Sequence, residues 1–77
     1  MKAFIEYLVQ AVVDIPEEVR VEEEPGDDDA TIYKVHVAPD DLGKVIGRGG
    51  RIARSLRIVA RAAGARPNRR VVLEIAE

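Results

Sequence analysis

One stretch of the chain has residue types and spacing that point to chemistry: Gly43-Lys44-Val45-Ile46-Gly47-Arg48-Gly49-Gly50-Arg51-Ile52. Glycine reaches positive φ without a Cβ clash and lets another backbone come close. A helix beginning just after such a turn aims its first amides outward, toward any anion. A phosphodiester fits that description. Arg48 adds a planar donor fork at the apex, and Lys44 and Arg51 stand one turn away on either side, so positive charge surrounds the turn. The pattern reads as a clamp for a sugar-phosphate backbone at Gly47, Arg48, Gly49 and Gly50, supported by Lys44, Arg51 and Arg54. Val45, Ile46 and Ile52 are candidates for an apolar groove or for the core beneath it.

Other chemistries find little to work with. The turn follows a helical segment rather than a strand, and Ile52 stands where a dinucleotide fingerprint needs Gly or Ala. Gly43 has no Gly-Lys-Ser/Thr at P-loop spacing. Ser55 and Thr31 are the hydroxyl nucleophile candidates apart from the tyrosines, and neither has a base nearby in sequence. There is no cysteine, so disulfides and thiolate metal sites are excluded. The single histidine, His36, reads as a surface residue on a polar strand face. No catalytic residue, metal site or cofactor is expected.

Elements must hold the turn in place. From Ala3 to Val13, Phe4, Leu8, Ala11 and Val12 recur at helical spacing, with Ile5, Val9 and Val13 widening the face. Pro16 marks the stop. Val19 and Val21 alternate with Arg20 and Glu22 as a first strand. The segment from Glu22 to Asp29 combines Pro25-Gly26 with six carboxylates and reads as an exposed, solubilising hairpin loop that also discourages edge pairing. A second strand runs from Thr31 to Ala38, with Tyr33, Val35 and Val37 on one face and Ile32, Lys34 and His36 on the other.

Pro39-Asp40-Asp41-Leu42 reads as a strand exit leading into a short helix from about Asp41 to Ile46, with Asp favourable as an N-cap. Beyond the glycines, Ile52, Leu56, Val59, Ala60 and Ala63 form the apolar face of a longer helix. Arg51, Arg54, Arg57 and Arg61 share another face, with Ile58 and Ala62 among them as a candidate dimer contact. Gly64 reads as the helix stop and Arg66-Pro67-Asn68 as a turn; Val71, Leu73 and Ile75 alternate as a last strand. The order is α-β-β-α-α-β. Three amphipathic helices on one face of a three-stranded sheet bury every stripe, which makes an α+β two-layer sandwich spanning residues 1–77 as one domain.

The net charge of -2 argues against a nucleic-acid partner only until the charges are located. Residues 1–41 hold three basic and twelve acidic groups, a net -9, and the remaining 36 residues hold nine basic and two acidic, a net +7. Anion binding follows the local potential, so the basic half is where a ligand belongs. No apolar run approaches the ~20 residues needed to cross a bilayer, and the N-terminus lacks signal-peptide features, so a soluble cytoplasmic protein is expected.

Val45-Ile46-Gly47-Arg48-Gly49-Gly50-Arg51-Ile52 resembles the (V/I)-I-G-x-x-G-x-x-I signature of KH domains, and the element order resembles their type II form. Together with Val13-Asp14-Ile15-Pro16 and the run from Val37 to Gly47, the resemblance extends to small bacterial stand-alone KH proteins of the KhpA family. It implies a mixed sheet and a GXXG loop at residues 47–50 that holds single-stranded RNA over about four nucleotides. The same resemblance implies an RNA chaperone or post-transcriptional regulator connected with cell shape and envelope homeostasis. It also implies association as a homodimer or as a heterodimer with a larger KhpB-like KH protein. Only one Phe and two Tyr are present, and Phe4 and Tyr33 fall on core faces, so base stacking on aromatic rings is not expected to dominate. The rival reading is an interaction module whose own affinity for RNA is small.

Overall fold

The computed structural model describes residues 1–65 and 69–76. Three helices, α1 (Lys2–Gln10), α2 (Leu42–Ile46) and α3 (Arg51–Ala65), lie on one face of a sheet made of β1 (Arg20–Pro25), β2 (Ala30–His36) and β3 (Arg70–Ile75). The Arg66-Pro67-Asn68 turn lies outside the described residues.

The sheet is mixed, in the order β1-β2-β3. β1 pairs antiparallel with β2 in the register Val21↔Val35, and β2 pairs parallel with β3 in the register Tyr33↔Leu73. A parallel neighbour cannot be reached by a tight hairpin. The chain therefore crosses over through α2 and α3, and that crossover carries the glycine turn. Strand alternation sends Val21, Tyr33, Val35, Val71 and Leu73 to the helices, where they meet Ile5, Val9, Val45, Leu56 and Ala60 in one core. Each large side chain buried there contributes about 1.5–3 kcal/mol. The opposite face holds Lys34, His36, Val72 and Glu74, as the alternation predicts.

Several elements depart from the sequence expectation. α1 ends at Gln10, short of Val13, because the amides of Asp14 and Ile15 turn away to the carboxylate of Asp41. Phe4 is 40 % exposed, so it is not a core residue. β1 runs on beyond Glu22 through Glu23, Glu24 and Pro25, which were expected in a loop. An edge strand tolerates this: its carboxylates point into solvent, and proline costs no ladder bond on the outer side. The loop shrinks to Gly26 and a turn at Asp27–Asp29, closed by the Gly26 N–H on the Ala30 carbonyl at 2.8 Å.

The buried stripe of α3 is Ala53, Leu56, Ala60 and Gly64, while Ile52 and Val59 are exposed and Ala63 is half-buried. Small residues bring the helix axis close to the sheet, and the branched ones are left on the shoulder. Gly64 is part of this packing rather than the stop: a Cβ there would lie 2.5 Å from Val71 Cγ2.

Candidate nucleic-acid interface

The turn at Gly47 to Gly50 is shaped by three positive φ angles, 76° at Gly47, 64° at Gly49 and 77° at Gly50. Gly47 is constrained from inside. A Cβ there would lie 2.4 Å from Ile52 Cγ1 and 2.9 Å from the Ile52 nitrogen, so the first turn of α3 needs a glycine beneath it. Gly49 and Gly50 face open space, with nothing within 4 Å of where a Cβ would stand. Their surfaces are free for another backbone to approach. The Gly47 N–H donates to the Gly43 carbonyl at 2.8 Å, closing α2, and the Gly50 N–H donates to the Gly47 carbonyl at 3.1 Å, closing the turn.

The charged residues named from the sequence divide into those that surround the turn and those held elsewhere. Arg48 is exposed on the turn and Arg51 is exposed at the start of α3. Arg54 reaches back one helical turn and donates from Nη2 to the Gly49 carbonyl at 3.1 Å, which braces the turn and brings its charge to the apex. Lys44 points away from this group. Its ammonium lies 2.7 Å from Asp14 Oδ2 and 4.0 Å from Asp41 Oδ1, and the hydrogen bond to Asp14 raises its pKa above the usual lysine value.

The apolar members separate as well. Val45 is fully buried and belongs to the core, Ile46 is half-buried and Ile52 is 37 % exposed beside the turn.

Two features escaped the sequence reading. Asp41 was expected to cap α2, yet its side chain makes no capping bond. Instead the carboxylate, 1 % exposed, accepts the N–H groups of Asp14 at 3.2 Å and Ile15 at 2.9 Å. It ties the segment after α1 to the start of the helix that ends in the glycine turn. The second feature is a basic cleft. Farther along α3, Arg57 and Arg61 face Val71, Val72 and Leu73 of β3 across a cleft of about 280 Å³. An adjoining cavity shares Arg61, Val71 and Val72 and adds Arg69 and Arg70. The signal for it was the arginine stripe, but only the packing of α3 on β3 shows that the stripe's far end borders a strand edge.

His36 lies on the outer face of the sheet, where its Nε2 hydrogen-bonds Glu22 Oε1 across the β1–β2 pair, and this bond lowers the pKa of Glu22. Among the described residues no group of acidic, histidine or cysteine side chains is placed to hold a metal ion. No described helix is long and apolar enough to cross a membrane.

A glycine turn between two helices, carried on the crossover of an α-β-β-α-α-β sandwich with a mixed sheet, defines a type II KH domain. The family model described as KhpA/KhpB, KH domain, matches residues 2–75, and the chain belongs to that family. It is 47 % identical over 75 residues to the RNA-binding protein KhpA of Clostridium acetobutylicum, covering 97 % of this chain and 99 % of that one. The RNA-binding protein KhpA of Clostridium perfringens is 44 % identical over the same shares, and that of Chlamydia pneumoniae is 43 % identical over 100 % of this chain and 97 % of its own. The family is a non-enzymatic one.

Among solved structures, Aquifex aeolicus Era bound to GDP and aluminium fluoride superposes with a TM-score of 0.64 at 16 % identity. Era in complex with a magnesium-bound nucleotide and a segment of 16S ribosomal RNA gives the same TM-score at 18 % identity. Both matches cover 96 % of this chain but only 28 % of Era, and at such identity they speak for the fold alone.

Proposed function

We propose that this chain binds single-stranded RNA, with the phosphates on the Gly47 to Gly50 turn and the bases in the cleft between α3 and β3. The observation that carries the reading is the open surface over Gly49 and Gly50, where no atom lies within 4 Å of a would-be Cβ and the flanking side chains Arg48, Arg51 and Arg54 are all cationic. The relatives named RNA-binding protein support it. Arg48 and Arg51 supply charge to the phosphates, and Arg54 holds the Gly49 carbonyl so that the turn keeps its shape. Lys44, held by Asp14, contributes to the local potential. Ile46 and Ile52 flank the turn in sequence and offer apolar surface beside it. At ~1.5 Å per residue, Arg57 lies roughly 10 Å beyond Gly50 along α3, so a strand anchored at the turn reaches the cleft within a few nucleotides.

We extend this reading to a cytoplasmic RNA chaperone or post-transcriptional regulator that works with a larger KhpB-like KH protein, with cell shape among the processes served. One domain with one short site gains most from association, since linking sites raises the effective concentration of the second. A second reading, an interaction module with little RNA affinity of its own, is favoured by Ile58, which is 59 % exposed among arginines on α3. A homodimer or a heterodimer through that face is compatible with RNA binding at the turn.

The deciding experiment replaces Arg48 and Gly49 together by Asp. Two carboxylates at the apex repel phosphate. Aspartate tolerates the required backbone, since Asp28 and Asp29 already hold φ of 54° and 62°. Circular dichroism and a melting curve should report a folded protein, and anisotropy with a labelled unstructured RNA should report lost binding. A folded double variant that binds as tightly as the parent would favour the interaction-module reading.

A further inference from the structure

The cleft between α3 and β3 has a donor and acceptor pattern of its own. The Ala76 N–H donates to the Val35 carbonyl at 2.9 Å, which turns the even-numbered positions at this end of the chain toward β2. Strand alternation then turns the N–H and carbonyl of Leu73 outward, to the free edge of β3 that borders the cleft. An extended edge normally offers both a donor and an acceptor at such a residue. Here the acceptor is engaged: Arg57 Nε donates to the Leu73 carbonyl at 3.3 Å. The bond leaves the two terminal nitrogens of the guanidinium, each with two N–H donors in one plane.

We propose that Arg57 makes this cleft selective for guanine, by withdrawing the Leu73 carbonyl from the ligand and presenting its terminal amino groups as a fixed donor fork. Guanine offers two neighbouring acceptors, O6 and N7, that match such a fork, whereas adenine offers N7 beside an amino group that needs an acceptor. Arg57, anchored on the strand, meets adenine's amino group with a second donor. Arg61, Arg69 and Arg70 line the same cleft and its neighbour and also bring donors. The cationic lining attracts every RNA; the anchored fork is what distinguishes the bases. The inference rests on the proposed RNA binding and adds to it the base that the cleft takes.

The test uses the full chain and fluorescein-labelled uridine octamers carrying one central guanosine, inosine, adenosine or 7-deazaguanosine. Guanosine and inosine, which share O6 and N7, should bind alike. Adenosine and 7-deazaguanosine should bind about tenfold more weakly, the loss expected for one bidentate contact. Arg57→Lys keeps the charge but removes the fork, and Arg57→Ala also frees the Leu73 carbonyl. In both variants the guanosine preference should vanish, and in Arg57→Ala adenosine should become the better ligand. Equal affinity of the parent for guanosine and adenosine overturns the proposal, as does a guanosine preference that survives both substitutions. A parent that binds none of the four octamers overturns the RNA reading itself and the role of Arg57 with it.

Discussion

The carboxylate of Asp41 accepts the backbone N–H of Ile15 at 2.9 Å, across 26 positions of sequence, and is 1 % exposed while doing so. Burying a carboxylate is costly unless its oxygens are bonded. Asp41 meets that condition with two main-chain donors and the ammonium of Lys44 at 4.0 Å. Removing it strands the donors of Asp14 and Ile15 in a partly buried place. Asp41→Ala should lower the unfolding free energy by about 2–3 kcal/mol, the scale of a charged hydrogen bond together with an unmet donor. Urea denaturation would measure it, and a loss below about 0.5 kcal/mol would show that water replaces the carboxylate without penalty.

The three glycines of the turn should respond unequally to alanine. Gly49→Ala and Gly50→Ala meet open space and carry only the cost of positive φ, about 1–2 kcal/mol. Gly47→Ala carries that cost and drives a methyl into the Ile52 backbone. Its melting temperature should fall well below those of the other two, and amide resonances at the start of α3 should shift. Three equal melting temperatures would mean that the turn yields at Gly47.

Much of this was legible in the sequence because periodicity reports burial. The alternation Tyr33-Val35 and Val71-Leu73 placed the sheet's inner face correctly, and the order of elements followed from where the periods change. The glycine turn was legible because its residue types are conformationally demanding. Boundaries were not, since they depend on bonds between distant residues. α1 stops at Gln10 because Asp41, far along the chain, takes the amides of Asp14 and Ile15. Phe4 and Val59 fall on apolar helical faces, yet the shell of a chain this small cannot cover every apolar side chain. Lys44 and Arg54 have the same charge and similar spacing from the glycines. Only the coordinates show that one is held by Asp14 and the other by Gly49.

The β1–β2 pair should make stability depend on acid. The hydrogen bond from His36 holds the Glu22 carboxyl below its ordinary pKa of 4.5 in the folded protein. A carboxylate with a depressed folded pKa stabilises above its unfolded value, and that contribution is lost as pH falls through the folded one. The melting temperature should therefore decline from about pH 5 downward with a component that Glu22→Gln removes. The variant should melt below the parent at pH 6 and converge with it near pH 2. Parallel curves throughout would show that the pair leaves no mark on folding.

Lys44 links the fold to the proposed site. Its ammonium sits 2.7 Å from Asp14, whose own side chain is 71 % exposed, so the pair is formed in solvent and can exchange partners at small cost. A phosphate on the neighbouring turn competes with Asp14 for the same cation. Asp14→Asn removes the competitor and adds one positive charge to the local balance. It should tighten RNA binding by two- to fivefold at low salt, and should steepen the dependence of log affinity on log salt by up to about 0.7, the increment for one more phosphate contact to a single strand. The Ile15 N–H remains bonded to Asp41, so the melting temperature should hardly move. Anisotropy titrations at several salt concentrations decide the matter. An unchanged slope with a lowered melting temperature would assign Lys44 to the fold alone, as a brace between Asp14 and Asp41.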